Sequence, residues 1–167
     1  MREFPFRLVR AAATAATAVT AVAAVTGALL VAGAGTGSAA DPGGRPLTAT
    51  LTGEAEVNAA GVPNQGDLDG SGTATITVNP GRNVVCWDLA VTGIATPTRA
   101  HIHQAPAGAN GAIVVMFFEV GEEPVLQGCT TPTGTTALEI LRNPAGFYVN
   151  VHNADFPAGA LRGQLST

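Results

Sequence analysis

The chain has 167 residues and a formal net charge of −4, and its eight basic residues are all arginines. That balance argues against nucleic acid and anionic membrane surfaces as partners, because both call for clustered positive charge. With 21 glycines, 11 prolines and 12% charged residues, the composition is that of turn-rich folded chain rather than of disorder.

Met1–Arg10 carries Arg2, Arg7 and Arg10, and residues 11–40 then run without a charge, rich in Ala, Val and Thr. A basic start, an apolar stretch and the small residues Ser38-Ala39-Ala40 ahead of Asp41 predict a secretory signal peptide over 1–40. The apolar run is also long enough to stay in the bilayer as an uncleaved anchor, which would tether the same domain outside the cell. Residues 41–46 are a short Gly/Pro linker. Residues 47–167 are the right length for one domain with a core of its own, and too short for two. From Asp41 onward, five arginines face eleven carboxylates, a formal charge of −6.

Residues 47–57 alternate, with Leu47, Ala49, Leu51, Gly53, Ala55 and Val57 on one face and Thr48, Thr50, Thr52, Glu54 and Glu56 on the other. Period two over that length predicts a half-buried strand. A polar loop over 61–72 follows. Residues 73–79 alternate again before the turn Asn79-Pro80-Gly81, and 83–92 place Val85, Trp87, Leu89 and Val91 on a third strand. Residues 98–103 form a fourth strand and 104–111 a loop. Residues 112–120 are continuously apolar, as expected of a strand buried on both faces. Residues 135–143 predict one or two helical turns with Leu138, Leu141 and Ala137 on one side, stopped by Pro144. Residues 147–153 and 160–165 close the chain as strands. The expectation is all-β: one antiparallel Greek-key β-sandwich or barrel of about seven or eight strands, immunoglobulin-like or superoxide-dismutase-like, with one short helical turn.

Cys86 and Cys129 are the two cysteines, and an even count in an exported chain predicts one disulfide between them. No CxxC spacing supports thiolate ligation of a metal. The three histidines are better placed for that. His101 and His103 flank Ile102, so on a strand both imidazoles leave the same face. His152 shares the polar side of its own strand with Tyr148 and Asn150. If the two strands are neighbours, His101, His103 and His152 can meet around one ion. Nitrogen ligands suit copper or zinc, not calcium or magnesium. The same three side chains could instead be hydrogen-bonding histidines that hold loops together. Asp67, Asp69, Ser71 and Gly72 match the first positions of a calcium loop, but the twelfth position is Val78, where a bidentate carboxylate is needed. None of the serines stands in a G-x-S-x-G turn and no phosphate-binding loop is present, so no catalytic residue is assigned.

Ala100-His101-Ile102-His103, Gly108-Ala109-Asn110-Gly111, the run from Asn143 to His152 and Leu161-Arg162-Gly163-Gln164-Leu165 together resemble the CHRD domain, over about Leu47 to Leu165. The resemblance implies an extracellular β-sandwich module with histidine positions at His101, His103 and His152. It implies no settled biochemical activity. The His-x-His strand is also similar to that of copper–zinc superoxide dismutases, which implies a copper-dependent redox enzyme as an alternative, with Arg162 or Arg99 steering an anion. Three histidines are too few for that enzyme's dinuclear site. The expectation is therefore a secreted, non-enzymatic binding module with a copper or zinc centre and an unidentified extracellular partner. A purely structural or adhesive module is the remaining alternative.

Overall fold

The computed structural model describes residues 43–167. The expected signal peptide and the first linker residues lie outside that range. Eight strands follow in order: β1 Arg45–Thr52, β2 Ser71–Asn79, β3 Val84–Thr92, β4 Pro97–Gln104, β5 Ala112–Phe118, β6 Gln127–Thr130, β7 Phe147–Asn153 and β8 Leu161–Gln164. A helix, α1, covers Thr136–Arg142, and a 3-10 turn covers Pro144–Gly146. Among the described residues, no helix is long and apolar enough to cross a membrane.

The strands form one sheet in the order β5-β4-β7-β8-β1-β2-β3-β6, every neighbouring pair antiparallel. β1, β2 and β3 pair in chain order, and β8 returns by a long route to lie beside β1, the Greek-key arrangement. The two end strands, β5 and β6, approach without pairing, so the sheet curls into a nearly closed barrel. Trp87 of β3 and Phe117 of β5 stack across that gap with ring centroids 4.5 Å apart. The indole N–H of Trp87 donates to Val125 O at 2.9 Å.

The alternation expected from the sequence sorts residues as predicted in most strands. Leu47, Ala49, Leu51, Ala74, Ile76, Val78, Ile102, Val149 and Val151 fill the interior, while Thr48 and Thr50 face out. Burying one such aliphatic side chain stabilises the fold by about 1.5–3 kcal/mol. Cys86 lies opposite Cys129 in the β3–β6 ladder, and a disulfide joins them. Its half-cystines are 43 residues apart, a loop whose closure is worth about 3–4 kcal/mol in the unfolded-chain account.

Three expectations are corrected. The first strand ends at Thr52 and not at Val57, because Gly53 is pressed against the backbone of Asp67 and the chain turns out of the sheet there. β5 is an edge strand: Ala112 and Ile113 are exposed, so its apolar run does not mark burial on both faces. In α1 the buried side is Ala137 and Ile140, with Leu138 and Leu141 only partly covered. The eighth strand, β6, has the sequence Gln127-Gly128-Cys129-Thr130, too short and too polar to show a period of two.

Candidate metal centre

Strands β4 and β7 are neighbours, and their register places Arg99 opposite His152, His101 opposite Asn150 and His103 opposite Tyr148. Ile102, Val149 and Val151 point into the barrel, so the alternate residues all point outward. His101 stands between the other two histidines, its ring centroid 4.5 Å from that of His103 and 4.7 Å from that of His152. The β4–β5 ladder shifts register between Ala100 and His101 and again between Ile102 and His103. Such bulges sharpen the local twist and re-aim side chains, and here they bracket His101.

An outward-facing histidine would ordinarily be wet. His101 is 1% exposed and His152 3%, because loops fold over this part of the sheet. The segment from Glu56 to Ala59, the Asn110-Gly111 turn and Ala158 line the cleft in front of the imidazoles. Asn110 Nδ2 donates to Asn58 O at 3.0 Å, tying two of these loops together above the site.

The hydrogen bonds of the imidazoles decide which nitrogens are free. His103 Nδ1 lies 2.8 Å from Gly111 O, and His152 Nδ1 lies 3.1 Å from Pro157 O. A carbonyl oxygen only accepts, so both Nδ1 atoms carry the proton and both Nε2 atoms present a lone pair. His152 Nε2 and His101 Nδ1 are buried with no hydrogen-bond partner. Leaving such atoms dry and unpaired costs about 1–3 kcal/mol each, which a cation between them would offset. One ligand atom from each of the three histidines lies within 4.8 Å of the others. Three nitrogens bound at about 2.0–2.1 Å to one zinc are about 3.4 Å apart in a tetrahedral arrangement, so the three rings would have to draw closer to hold an ion. Backbone carbonyls placed behind two imidazoles, as here, would give a histidine–metal bond its usual outer support.

Electrostatics keep the rings in the metal-binding form. Burial, then the neighbouring His152 and His103 and the charge of Arg99, lowers His101 from 6.5 to about 2. Burial and Arg99 lower His152 to about 4. Burial also lowers His103, against the pull of its bond to Gly111. All three are neutral at physiological pH.

Beside the histidines lies a second buried group. Glu56 accepts from Asn150 Nδ2 at 2.5 Å and from the Val57 N–H at 3.1 Å, and pairs with Arg162 Nη1 at 3.5 Å. Arg162 also donates to Asn110 Oδ1 at 3.0 Å and to Ala109 O, and its guanidinium lies 3.5 Å from the centre of the Tyr148 ring. The other face of Tyr148 stacks on His103, with centroids 4.7 Å apart. Arg162 thus clamps the loops through which Glu56 and Asn110 reach the site.

The family model of the CHRD domain matches residues 47–165. The chain belongs to the CHRD domain family. No curated protein and no solved structure matches it. In this CHRD domain the motif Leu161–Leu165 has a physical reading residue by residue. Leu161 and Leu165 are core side chains, and Arg162 is the clamp. A Cβ on Gly163 would collide with the carbonyl of Thr50 on the adjacent strand. Gln164 Nε2 donates to Ala105 O at 2.8 Å and Ala145 O at 2.7 Å, joining the loop after β4 to the 3-10 turn ahead of β7. Nearby Gly159, at φ 148°, leaves room for Glu56 Oε2 where a side chain would stand.

His101, His103 and His152, picked from the sequence, are brought together. The alternation places Glu56 on the solvent face of a strand, yet it is buried at 3% exposure. Nothing local marked it, since its partner Arg162 is 106 residues away. Asp67 and Asp69 join no ligating group: among the described residues the histidine trio is the one cluster found. The Asp67 N–H donates to Ala160 O at 2.9 Å, and Asp67 O accepts from the Gly70 N–H at 3.1 Å, so this loop is closed by its own backbone.

Proposed function

We propose that this is a secreted, non-enzymatic CHRD binding module, comprising a signal peptide over 1–40, a linker over 41–46 and the domain over 47–167. Its His101–His103–His152 centre holds a copper or zinc ion. One observation carries the metal reading: two imidazoles are locked by carbonyls so that their Nε2 lone pairs are free, and the third lies between them with an unpartnered buried nitrogen. Lone pairs gathered in this way repel one another unless a proton or a metal ion stands among them, and burial disfavours the proton. A disulfide among the described residues accords with an oxidising compartment, where copper and zinc are encountered rather than delivered.

Metal-stripped protein is expected to take up close to one equivalent of Cu(II) or Zn(II) by calorimetry, with a rise in Tm because the ion binds the native state alone. His103→Ala, at the least buried of the three positions, abolishes that uptake while leaving the circular dichroism spectrum intact. Undiminished binding in the triple alanine variant would reject the centre. Superoxide dismutation by copper-loaded protein beyond that of free copper, lost in the triple variant, would overturn the non-enzymatic reading.

A further inference from the structure

The cleft in front of the histidines has a volume of about 380 Å³. A water molecule's share of liquid volume is about 30 Å³, so an ion with one bound water would leave most of the space unfilled. Three histidines also leave a zinc or copper ion one ligand short of four, the arrangement of sites that exchange a ligand.

Charge decides what kind of ligand suits the remaining position. Glu56 is the one carboxylate among the residues lining the cleft, and it is committed to Asn150, to the Val57 N–H and to Arg162. Arg162 is committed in turn to Glu56, Asn110, Ala109 and the face of Tyr148. These two opposite charges offset each other.

Arg99 is in a different position. It lines the cleft half-buried, and its one strong bond is from Nη2 to Pro157 O at 2.7 Å. His152 Nδ1 donates to that same carbonyl, which accounts for its 3.5 Å separation from Arg99 Nη2 as a contact between two donors. Among the described residues, most of the five N–H donors of this guanidinium are therefore unused. A divalent ion on the histidines would add to this fixed positive charge, and no free carboxylate lines the cleft to balance the two.

We propose that the centre takes a small carboxylate, one oxygen on the open position of the metal and the other on the Arg99 guanidinium. This rests on the metal reading above and names its ligand. A planar carboxylate matches both demands, since guanidinium–carboxylate pairing is charge-assisted and directional. Arg162, the other arginine near the histidines, is too committed to serve.

The test loads the full chain with Cu(II) and titrates it with acetate, following the visible absorption and the electron paramagnetic resonance of the copper. A saturable change in both is expected, absent from His103→Ala. Arg99→Gln is expected to keep its copper and to bind acetate about tenfold or more weakly, the loss of one charge-assisted hydrogen bond. An aspartate residue blocked at both ends supplies the second arm. Tighter binding of acetate identifies a free acid as the ligand, and tighter binding of the blocked aspartate identifies a side chain of a partner. Copper bound with a spectrum indifferent to both carboxylates overturns the proposal and leaves the metal centre standing. Equal acetate affinity in Arg99→Gln overturns it too. Failure to bind copper at all removes the centre itself, and this ligand with it.

Discussion

β1 and β7 belong to the same sheet and alternate in the same way, yet their outer faces meet different fates. On β1 the outward residues Thr48 and Thr50 are exposed, and the strand is buried on the barrel side alone. On β7 every residue from Phe147 to Asn153 is buried, including the outward Tyr148, Asn150 and His152. Loops account for the difference. The segment around Glu56 and the Asn110-Gly111 turn cover the outer side of β4 and β7, and Arg162 of β8 fastens them there. The half of the sheet built from β1, β2, β3 and β6 is held by hydrophobic burial and a disulfide. The other half carries a desolvated polar layer that needs internal partners.

The two halves should therefore respond differently to substitution. Arg162→Ala strikes the covered half hardest, because it leaves the Glu56 carboxylate buried without its cation. Chemical denaturation should show a loss of about 3–5 kcal/mol. Replacing both partners, as Glu56→Gln with Arg162→Met, should recover part of that loss, since no uncompensated charge remains. If the single variant were as stable as wild type, the clamp would not be what holds the loops.

Removing the bridge of the other half, as Cys86→Ala with Cys129→Ala, should lower unfolding stability by about 3–4 kcal/mol. Copper or zinc stoichiometry, measured below the new midpoint, should not change, because the half-cystines lie on β3 and β6, away from the histidines. Loss of metal uptake in that variant would show that the halves are coupled.

A smaller effect concerns pH. The unfolded chain takes up protons on its histidines near 6.5, while the native His152 and His101 resist until about 4 and about 2. The metal-free domain therefore has its full histidine contribution above about pH 6.5 and loses it progressively as pH falls through 4 towards 2. Urea midpoints across that range should fall with acid, and His152→Gln should flatten the decline between pH 6.5 and 4. A parallel decline in the two proteins would contradict burial as the cause. Smallest of all, Thr50→Val on the exposed face of β1 should shift unfolding stability by no more than about 0.5 kcal/mol.

The strands were largely legible because a half-buried strand writes its period into the chain: Leu47, Ala49 and Leu51, or Val149 and Val151, can be sorted with no knowledge of their neighbours. Gln127–Thr130 escaped because its place in the sheet comes from pairing with β3 and not from its own pattern. The histidines were legible as a pair on one strand and a single residue on another. Their meeting depended on β4 and β7 being adjacent, which no local signal states.

Much of this domain's architecture was thus determined by sequence alone: an all-β chain, the inward and outward residues of most strands, the cysteine pair and three histidines free to point the same way. Tertiary structure decided the rest. It laid loops over one outer face, turned Glu56 from a solvent-facing residue into the partner of Arg162, and stripped water from His101 and His152. The physical reason is range. Alternation and turn chemistry act over a few residues, whereas desolvation depends on whatever the fold brings alongside, here from as far as 106 residues away.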